Sequence, residues 1–332
     1  MLNTADVEPP ILRLAAVLLA STALIATTAD AQLLPSTPAG EAGPQGKAVT
    51  GRFRVGAVIK ASRGACRDVQ AMVAVPLECD EQTVKIVDEE FSGDVARVSY
   101  RDVPGGEARQ MLIRIPYLPA KAQARAVVTF ETTTNVILPP DDATTSSLKI
   151  PRRAPKHLRR FVSVSPFIEA KDRRIRKIAR QQFADAPEGA TDWQRVERLY
   201  NYVQDTIEYA EGPDTSAVQT LRDARADCHG RSALFIALCR AVGVPARVVW
   251  VDRHVYAEFY LEDADGQGAW YPAESAGSRA FGEMPLARVI LQKGDHFRVP
   301  ERPKDRLRYA TDFVYVPPGK GKPSVKFIRE QL

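Results

Sequence analysis

The feature that most constrains the fold is an apolar segment that starts at Cys228 and ends at Gly243, with Pro245 just beyond. Glycine often ends a helix and proline cannot continue one, so the segment predicts a helix with Cys228 at its N-terminus. The β-branched and aromatic runs 248–251 and 255–261 follow and predict two strands. An apolar helix followed directly by strands indicates a mixed α+β fold for this part of the chain.

Three residues whose side chains can take part in catalysis lie along these elements. Cys228 opens the helix, His254 precedes the second strand run, and Glu274 ends the following run Trp270–Glu274. A thiol at a helix N-terminus lies where free backbone N–H groups and the helix dipole favour its anion. An imidazole can hold that thiolate and a carboxylate can orient the imidazole. The three residues therefore predict a nucleophile with its base and an orienting acid.

A family resemblance rests on four pieces of sequence: Asp227-Cys228, Leu238–Val249, His254–Glu258 and Trp270–Glu274. Together they resemble the transglutaminase-like family, a branch of the papain-like cysteine enzymes, over roughly residues 165–300. The family usually has Trp at the position of Tyr256 and Asp at the position of Glu274. The resemblance implies a Cys228–His254–Glu274 catalytic triad and a thioester intermediate on Cys228.

Other residues compete for two of these roles. His229 is a rival base, but adjacent helical residues project about 100° apart, which favours His254. Glu258 lies on the same strand face as His254, yet four residues along a strand span roughly 13 Å. Glu274 is therefore the predicted acid, with Glu258 and then Asp252 as alternatives.

The resemblance also places residues around the predicted nucleophile. The backbone N–H of Cys228 and one upstream donor would hold the oxyanion, and Tyr209 matches the family position of that donor. Trp250 and Tyr256 are candidates for the substrate groove, the alternative being an ordinary place in the strand core. The sequence has no Cys-x-x-Cys pair and no histidine with a second ligand at metal spacing, so we expect neither a metal nor another cofactor.

The other cysteines receive separate interpretations. Cys239 lies on the same predicted helix as Cys228, roughly 16 Å along the axis, so the two cannot form a disulfide. We predict that Cys239 is a core residue. Cys66 and Cys79 flank a short strand elsewhere. In an oxidising compartment they predict a local disulfide, with a stabilisation of roughly 3 kcal/mol.

Residues 1–31 have the pattern of a signal peptide. The apolar stretch Ile11–Ile25 leads to Ala29-Asp30-Ala31, a small-x-small cleavage site. An N-terminal membrane anchor is the alternative, but the apolar stretch is short for a span. We therefore expect export, to the periplasm or beyond, with no stable membrane span after cleavage. Nucleic acid is not an expected partner despite the net charge of +5, because the sequence has no base-reading motif.

The rest of the chain divides by pattern. Alternation begins near Arg52, with Phe53, Val55 and Ile59 on one face, and several short strand runs with turn signals follow. The predicted architecture is an N-terminal antiparallel β-sandwich followed by a papain-like, transglutaminase-like α+β domain. Its predicted ranges are a signal peptide at 1–31, a disordered lead-in at 32–48, the β-sandwich at 49–138, a linker at 139–160, the catalytic domain at 161–300 and a C-terminal tail at 301–332.

We expect an exported cysteine enzyme that acts on amide bonds of a peptide or protein in the cell envelope. Tyr256 in place of Trp, and a slim loop at Gly266-Gln267-Gly268, favour an open groove and hydrolysis. One alternative is another enzyme, a transglutaminase that transfers the acyl group of a protein glutamine to an amine. The other alternative is a catalytically silent binding module.

Overall fold

The computed structural model describes residues 44–332. The predicted signal peptide therefore lies outside the described residues. The first half of the described chain is built of six strands: β1 Gln45–Lys60, β2 Cys66–Ala74, β3 Gln82–Phe91, β4 Arg97–Asp102, β5 Glu107–Leu118 and β6 Gln123–Ile137. Because β1 begins at Gln45, part of the predicted lead-in at 32–48 belongs to a strand.

The second half mixes helices and strands. Its helices are α1 Asp142–Ser147, a 3₁₀ turn Arg159–Val162, α2 Arg173–Ala184, α3 Asp192–Thr206, α4 Ala217–Asp223 and α5 Cys228–Ala241. Its strands are β7 Glu208–Tyr209, β8 Arg225–Ala226, β9 Ala246–Val251, β10 His254–Glu262, β11 Gly268–Glu274, β12 Ala280–Phe281, β13 Ile290–Lys293, β14 Phe313–Tyr315 and β15 Ser324–Gln331. The predicted α+β class is confirmed. In the described part of the chain, no helix is long and apolar enough to cross a membrane.

The strands of the first half pack as a two-layer sandwich. One layer is the four-stranded sheet β15-β1-β6-β3, and the other contains β4, β5, β2 and β14. Phe53, Val55 and Ile59 of β1 are fully buried in the shared core, together with residues of β2, β5 and β6. The alternation in the sequence thus sets the buried face of β1, because successive strand residues point to opposite sides.

One continuous sheet joins the sandwich to the helical part. β13 pairs with β9 on one side and with β5 on the other, so the strand order is β12-β11-β10-β9-β13-β5-β2-β14. The stretch 301–332, predicted as a tail, supplies β14 beside β2 and β15 beside β1. All described residues fall within one compact unit.

α5 is the central helix of the second half. Every residue from Gly230 to Arg240 is buried, and the helix packs on the β10 face that carries Val255, Ala257 and Phe259. Asp227 caps its N-terminus by accepting a hydrogen bond from the Gly230 amide at 3.1 Å. A helix enclosed on all sides has a fixed position, so its first residue is held rigidly at one end of the sheet.

Candidate active site

Cys228 is the first residue of α5 and is 9% exposed. The cap at Asp227 uses one amide of the first turn, and the remaining first-turn amides point out of the helix end beside the thiol. This end of the helix favours negative charge. Cys228 therefore lies at the N-terminus of a helix, in the position that the sequence predicts.

His254 is the first residue of β10 and faces Cys228. A tight turn at Asp252 and Arg253, with Arg253 at a φ of 56°, returns the chain from β9 so that β10 starts beside the end of α5. The imidazole is hydrogen-bonded to the Cys228 thiol and to Glu274. Burial alone would lower the pKa of His254, but these hydrogen bonds and the charges of both partners raise it to about 9. The imidazole therefore carries a proton at neutral pH.

Glu274 ends β11 and lies 2.6 Å from His254, measured from Oε2 to Nε2. Its other carboxylate oxygen accepts a hydrogen bond from the Ala276 amide at 2.7 Å. Its backbone carbonyl accepts hydrogen bonds from the Tyr200 hydroxyl and the Gln204 amide group. The glutamate is thus fixed through both side chain and backbone, and its extra methylene relative to aspartate still lets it reach the imidazole.

The rival acids have other partners. Glu258 is fully buried and binds Arg247 at 2.6 Å and Lys293 at 3.1 Å. Asp252 lies in the β9–β10 turn, 3.8 Å from Arg253. The structure therefore brings Glu274, and neither of these two acids, to His254.

His229 lies closer to the thiol than the helical projection predicts. A ring nitrogen of His229 is within 4.8 Å of the Cys228 sulfur. Its Nδ1 is 2.6 Å from the Tyr309 hydroxyl and 3.5 Å from Asp214. Tyr309 was missed by sequence reasoning because it lies in the stretch predicted as a tail, where nothing marks it as a site residue. The angle between neighbouring side chains on a helix does not fix the distance between their tips, so His229 can lie near Cys228 although the two side chains project in different directions.

The predicted groove residues have different surroundings. Tyr209 is 44% exposed and interacts electrostatically with Cys228, and its hydroxyl is 2.6 Å from Glu211. Trp250 is half-buried and its ring contacts that of Tyr309, with centroids 5.7 Å apart. Both can line a groove.

Tyr256 does not line this groove. It is 2% exposed and packs in a core cluster with Leu77, Val249 and Met284. This position was the alternative considered for an apolar strand residue, and burial in the core explains it. The argument that Tyr256 opens the substrate groove is therefore wrong.

The glycine loop also lies elsewhere. It connects the end of β10 to the start of β11, whereas His254 and Glu274 occupy the opposite ends of these strands. Strands rise about 3.3 Å per residue, so the loop is roughly 20–26 Å from the candidate site. The loop does not flank Glu274, so it gives no support to an open, water-accessible groove at the candidate site.

The predicted disulfide is not formed, since Cys66 and Cys79 are both free. Cys66 begins β2 opposite Leu118 in the sandwich core, whereas Cys79 lies beyond the other end of β2, near Leu77. A nine-residue strand spans roughly 26 Å, and bridged cysteines need Cα atoms within about 7 Å. The prediction failed because it read closeness in sequence as closeness in space across an extended strand.

Asp227, Cys228 and His229 place one potential metal ligand each within 4.8 Å of one another. The side chain of Asp227 already caps α5, and Nδ1 of His229 is already hydrogen-bonded to Tyr309. The Asp227 and His229 side chains therefore already have hydrogen-bond partners within the protein, and this set of potential ligands does not require a metal ion.

Residues 176–275 match the family described as the transglutaminase-like superfamily. No curated protein sequence matches the chain. The fold is similar to that of a candidate cysteine protease from Cytophaga hutchinsonii, with 18% identity, a TM-score of 0.57, and coverage of 87% of this chain and 92% of that chain.

A second solved structure is the periplasmic domain of TgpA from Pseudomonas aeruginosa, with 12% identity, a TM-score of 0.33, and coverage of 71% of this chain and 90% of that chain. The matched segment contains the end of α5 that carries Cys228, the start of β10 and Glu274. Over residues 176–275 the chain is therefore similar to the transglutaminase-like superfamily.

Proposed function

We propose that this protein is an exported cysteine enzyme that hydrolyses amide bonds of peptides or proteins through a thioester on Cys228. The observation that carries the proposal is the position of His254, which contacts the Cys228 thiol and lies 2.6 Å from Glu274. A protonated imidazole beside a thiol at a helix N-terminus favours a thiolate–imidazolium pair. A catalytically silent module has no need of these three groups in contact, so the geometry supports an enzyme.

The proposed acylation uses each of the three residues in turn. The Cys228 sulfur attacks the amide carbon, and the oxygen that gains negative charge is held by first-turn N–H groups of α5. When the C–N bond breaks, His254 gives its proton to the departing amine. Glu274 keeps the imidazole oriented and stabilises its charge. Water then attacks the thioester and releases the acid.

Water access supports hydrolysis over amine transfer. Tyr209 interacts electrostatically with Cys228 and is 44% exposed, so an aromatic residue within electrostatic range of the thiol is open to solvent. A transferase must keep bulk water away from its thioester, which calls for an enclosed channel. Amine transfer is the second candidate, favoured by the contact between the rings of Trp250 and Tyr309, which could form one wall of such a channel.

Export is part of this proposal and rests on residues 1–31. It would place the enzyme among envelope proteins and peptides, which are then its natural substrates. The test of export is to collect the secreted protein, determine its N-terminal sequence and measure its activity. We expect residues 1–31 to be absent from the active secreted enzyme.

Product partitioning tests the reaction itself. The protein is incubated with a glutamine-containing protein and a labelled primary amine, and the products are analysed by mass spectrometry. We expect chain cleavage or deamidation in wild type and in Cys239→Ala, and neither in Cys228→Ala. Stable incorporation of the amine without cleavage or deamidation would show that the protein is a transferase. Equal products from Cys228→Ala and wild type would reject the thiol mechanism.

A further inference from the structure

The outer face of α2 carries a charge pattern that the proposed reaction does not use. The helix contains five basic residues and no acidic residue. Its inner side is apolar, since Ile175 and Ala179 are fully buried in the core that also holds α5. Because successive helical residues turn by about 100°, four of the basic residues lie opposite that side, within an arc of roughly 100°. This basic stripe consists of Arg173, Arg176, Lys177 and Arg180, which are all exposed.

The basic stripe has no opposite charge beside it in the protein. Among the described residues, none forms a salt bridge or a side-chain hydrogen bond with any of its four side chains. The fifth basic residue of α2, Arg174, lies 3.5 Å from Asp172. On the next helix, Arg195 lies 3.6 Å from Asp192. The four charges of the stripe therefore remain available to a partner outside the chain.

The spacing within the stripe is unfavourable for the helix alone. Arg176 follows Arg173 by three residues, and Lys177 follows Arg173 by four. Arg180 is likewise three residues from Lys177 and four from Arg176. Side chains at these spacings are neighbours on a helix, and like charges there destabilise it. A local conflict of this kind is expected where a surface serves an interaction, so the stripe indicates a partner that neutralises it.

The groups of the stripe are suited to phosphate. Guanidinium groups bind phosphate oxygens through paired hydrogen bonds, and an ammonium group binds them as a point charge. The stripe borders an open recess of about 490 Å³, whose remaining lining is Gln181 and Ala184. No aromatic side chain lines this recess, so it lacks the surface on which unpaired nucleic-acid bases stack. A straight row of cations roughly 10 Å long matches a flat array of phosphates better than one small ion.

We infer that the basic stripe of α2 is a docking surface for anionic phospholipid head groups at a membrane face. The apolar side of α2 is enclosed in the protein core, so the helix cannot insert into the bilayer as an amphipathic anchor does. The contact is therefore electrostatic, and salt should reverse it. The inference goes beyond the proposed function and does not depend on the thioester mechanism. Such docking would hold the enzyme at the surface of the envelope.

Vesicle sedimentation tests the inference. The protein used starts at residue 32, because the apolar stretch at 11–25 would itself bind lipid, and all described residues fall within one compact unit. We expect it to sediment with vesicles of equal parts phosphatidylglycerol and phosphatidylcholine at about 0.05 M salt, and to be released at about 0.5 M. It should remain in solution with vesicles of phosphatidylcholine alone. Equal sedimentation with both kinds of vesicle would reject the inference.

A stripe variant replaces all four cations with glutamine, which is also a good helix former. Each basic residue near an anionic bilayer strengthens binding by roughly five-fold, so the variant should bind vesicles at least about 10²-fold more weakly. Its turnover and urea midpoint should not fall, because the four positions are exposed and their repulsion is removed. The combined changes are Arg173→Gln, Arg176→Gln, Lys177→Gln and Arg180→Gln.

The matched control removes the same charge from exposed positions of the sandwich. It should bind vesicles nearly as well as wild type, whereas equal losses in the two variants would mean that net charge alone attracts the protein to lipid. The control changes are Lys47→Gln, Lys60→Gln, Arg63→Gln and Lys85→Gln.

Two competitors separate a lipid surface from other anions. Inorganic phosphate, at the phosphate concentration of the vesicles, should not release the protein, because separate ions do not present several phosphates together. Release by inorganic phosphate would instead indicate a site for a single anion. Retention on dextran sulfate without binding to vesicles would indicate an anionic polysaccharide. Either result would overturn the assignment to phospholipid.

Discussion

Two carboxylates on the hairpin of β10 and β11 show how similar groups serve different purposes. Glu274, at the end of the hairpin near the surface, pairs with His254, whose side chain is 14% exposed. Glu258, in the middle of β10, is fully buried and pairs with Arg247 and Lys293. A histidine partner can give up its proton during a reaction, whereas an arginine partner cannot.

The buried charged cluster of Glu258, Arg247 and Lys293 extends across the junction of the two halves. Arg247 also binds Glu107 of β5 at 2.6 Å, and Lys293 binds Glu81 at 2.6 Å. Burial would lower the pKa of Lys293, but the charges of Glu258 and Glu81 raise it well above its usual range. These ion pairs hold strands of the two halves together, whereas His254 and Glu274 can exchange protons with a substrate.

The comparison predicts that changes near the surface affect the reaction and leave the fold intact. The largest expected effect is that of Cys228→Ala, which should reduce amide-bond cleavage by at least about 10³-fold, because the nucleophile is lost. The control Cys239→Ala creates a small cavity in the core of α5 and should lower stability by about 1 kcal/mol with the rate retained. Turnover and urea denaturation of both variants test this contrast, and residual cleavage by Cys228→Ala near the wild-type rate would contradict it.

Glu274→Gln should give the next largest effect. The amide keeps the size of the side chain but not the charge that stabilises the His254 imidazolium, so acylation should slow by roughly 10²-fold. The factor should be smaller than for Cys228→Ala. Burst rates with an activated ester measure it, and wild-type rates in this variant would remove Glu274 from the site.

Glu258→Gln should show the opposite pattern. It leaves the buried charges of Arg247 and Lys293 without their shared partner, and breaking a buried ion pair costs about 3–5 kcal/mol of unfolding free energy. The acylation rate per folded molecule should stay near that of wild type. Glu90→Gln is the control, because its pair with Arg125 is exposed and worth at most about 1 kcal/mol. Equal urea midpoints for the two variants would refute the structural role of Glu258.

The smallest effect concerns pH. His254 must be protonated to serve the departing amine, and its pKa is about 9, so acylation should decline as the pH rises through about 9. In Glu274→Gln an interaction that raises this pKa is lost, and the decline should move to lower pH. Acylation rates between pH 6 and 10 measure the shift. A decline at the same pH in both proteins would show that another group controls it.

The helix and strands that carry the candidate site in residues 176–275 could be predicted from the sequence because short-range patterns define them. The apolar run of α5 and the glycine that ends it predict a helix that the structure contains, with Asp227 as its cap and Gly243 at a φ of 88°. His254 and Glu274 follow within a short stretch of chain, so their approach to Cys228 needed only one hairpin. Here short-range patterns and the tertiary structure agree.

The remaining features depend on contacts between distant parts of the chain. The sequence gives no sign that β13 joins two sheets, or that β14 and β15 return to the sandwich, because strand pairing across hundreds of residues leaves no local pattern. The same holds for Tyr309 beside His229. Tyr256 failed as a groove residue for a related reason, since either face of a strand can be apolar when both are covered.

The pairing of β15 with β1 has a consequence for biosynthesis. β1 is among the first segments of the described chain to be made, yet its neighbour β15 at Ser324–Gln331 is among the last. Arg308 and Tyr309, which contact the first turn of α5, are also late. A nascent chain that already contains Cys228, His254 and Glu274 therefore still lacks an edge strand of its sandwich and part of its groove, and long-range pairings of this kind form slowly. The thiol should gain its full reactivity only after synthesis has passed these residues, which limits damage to other proteins during translation.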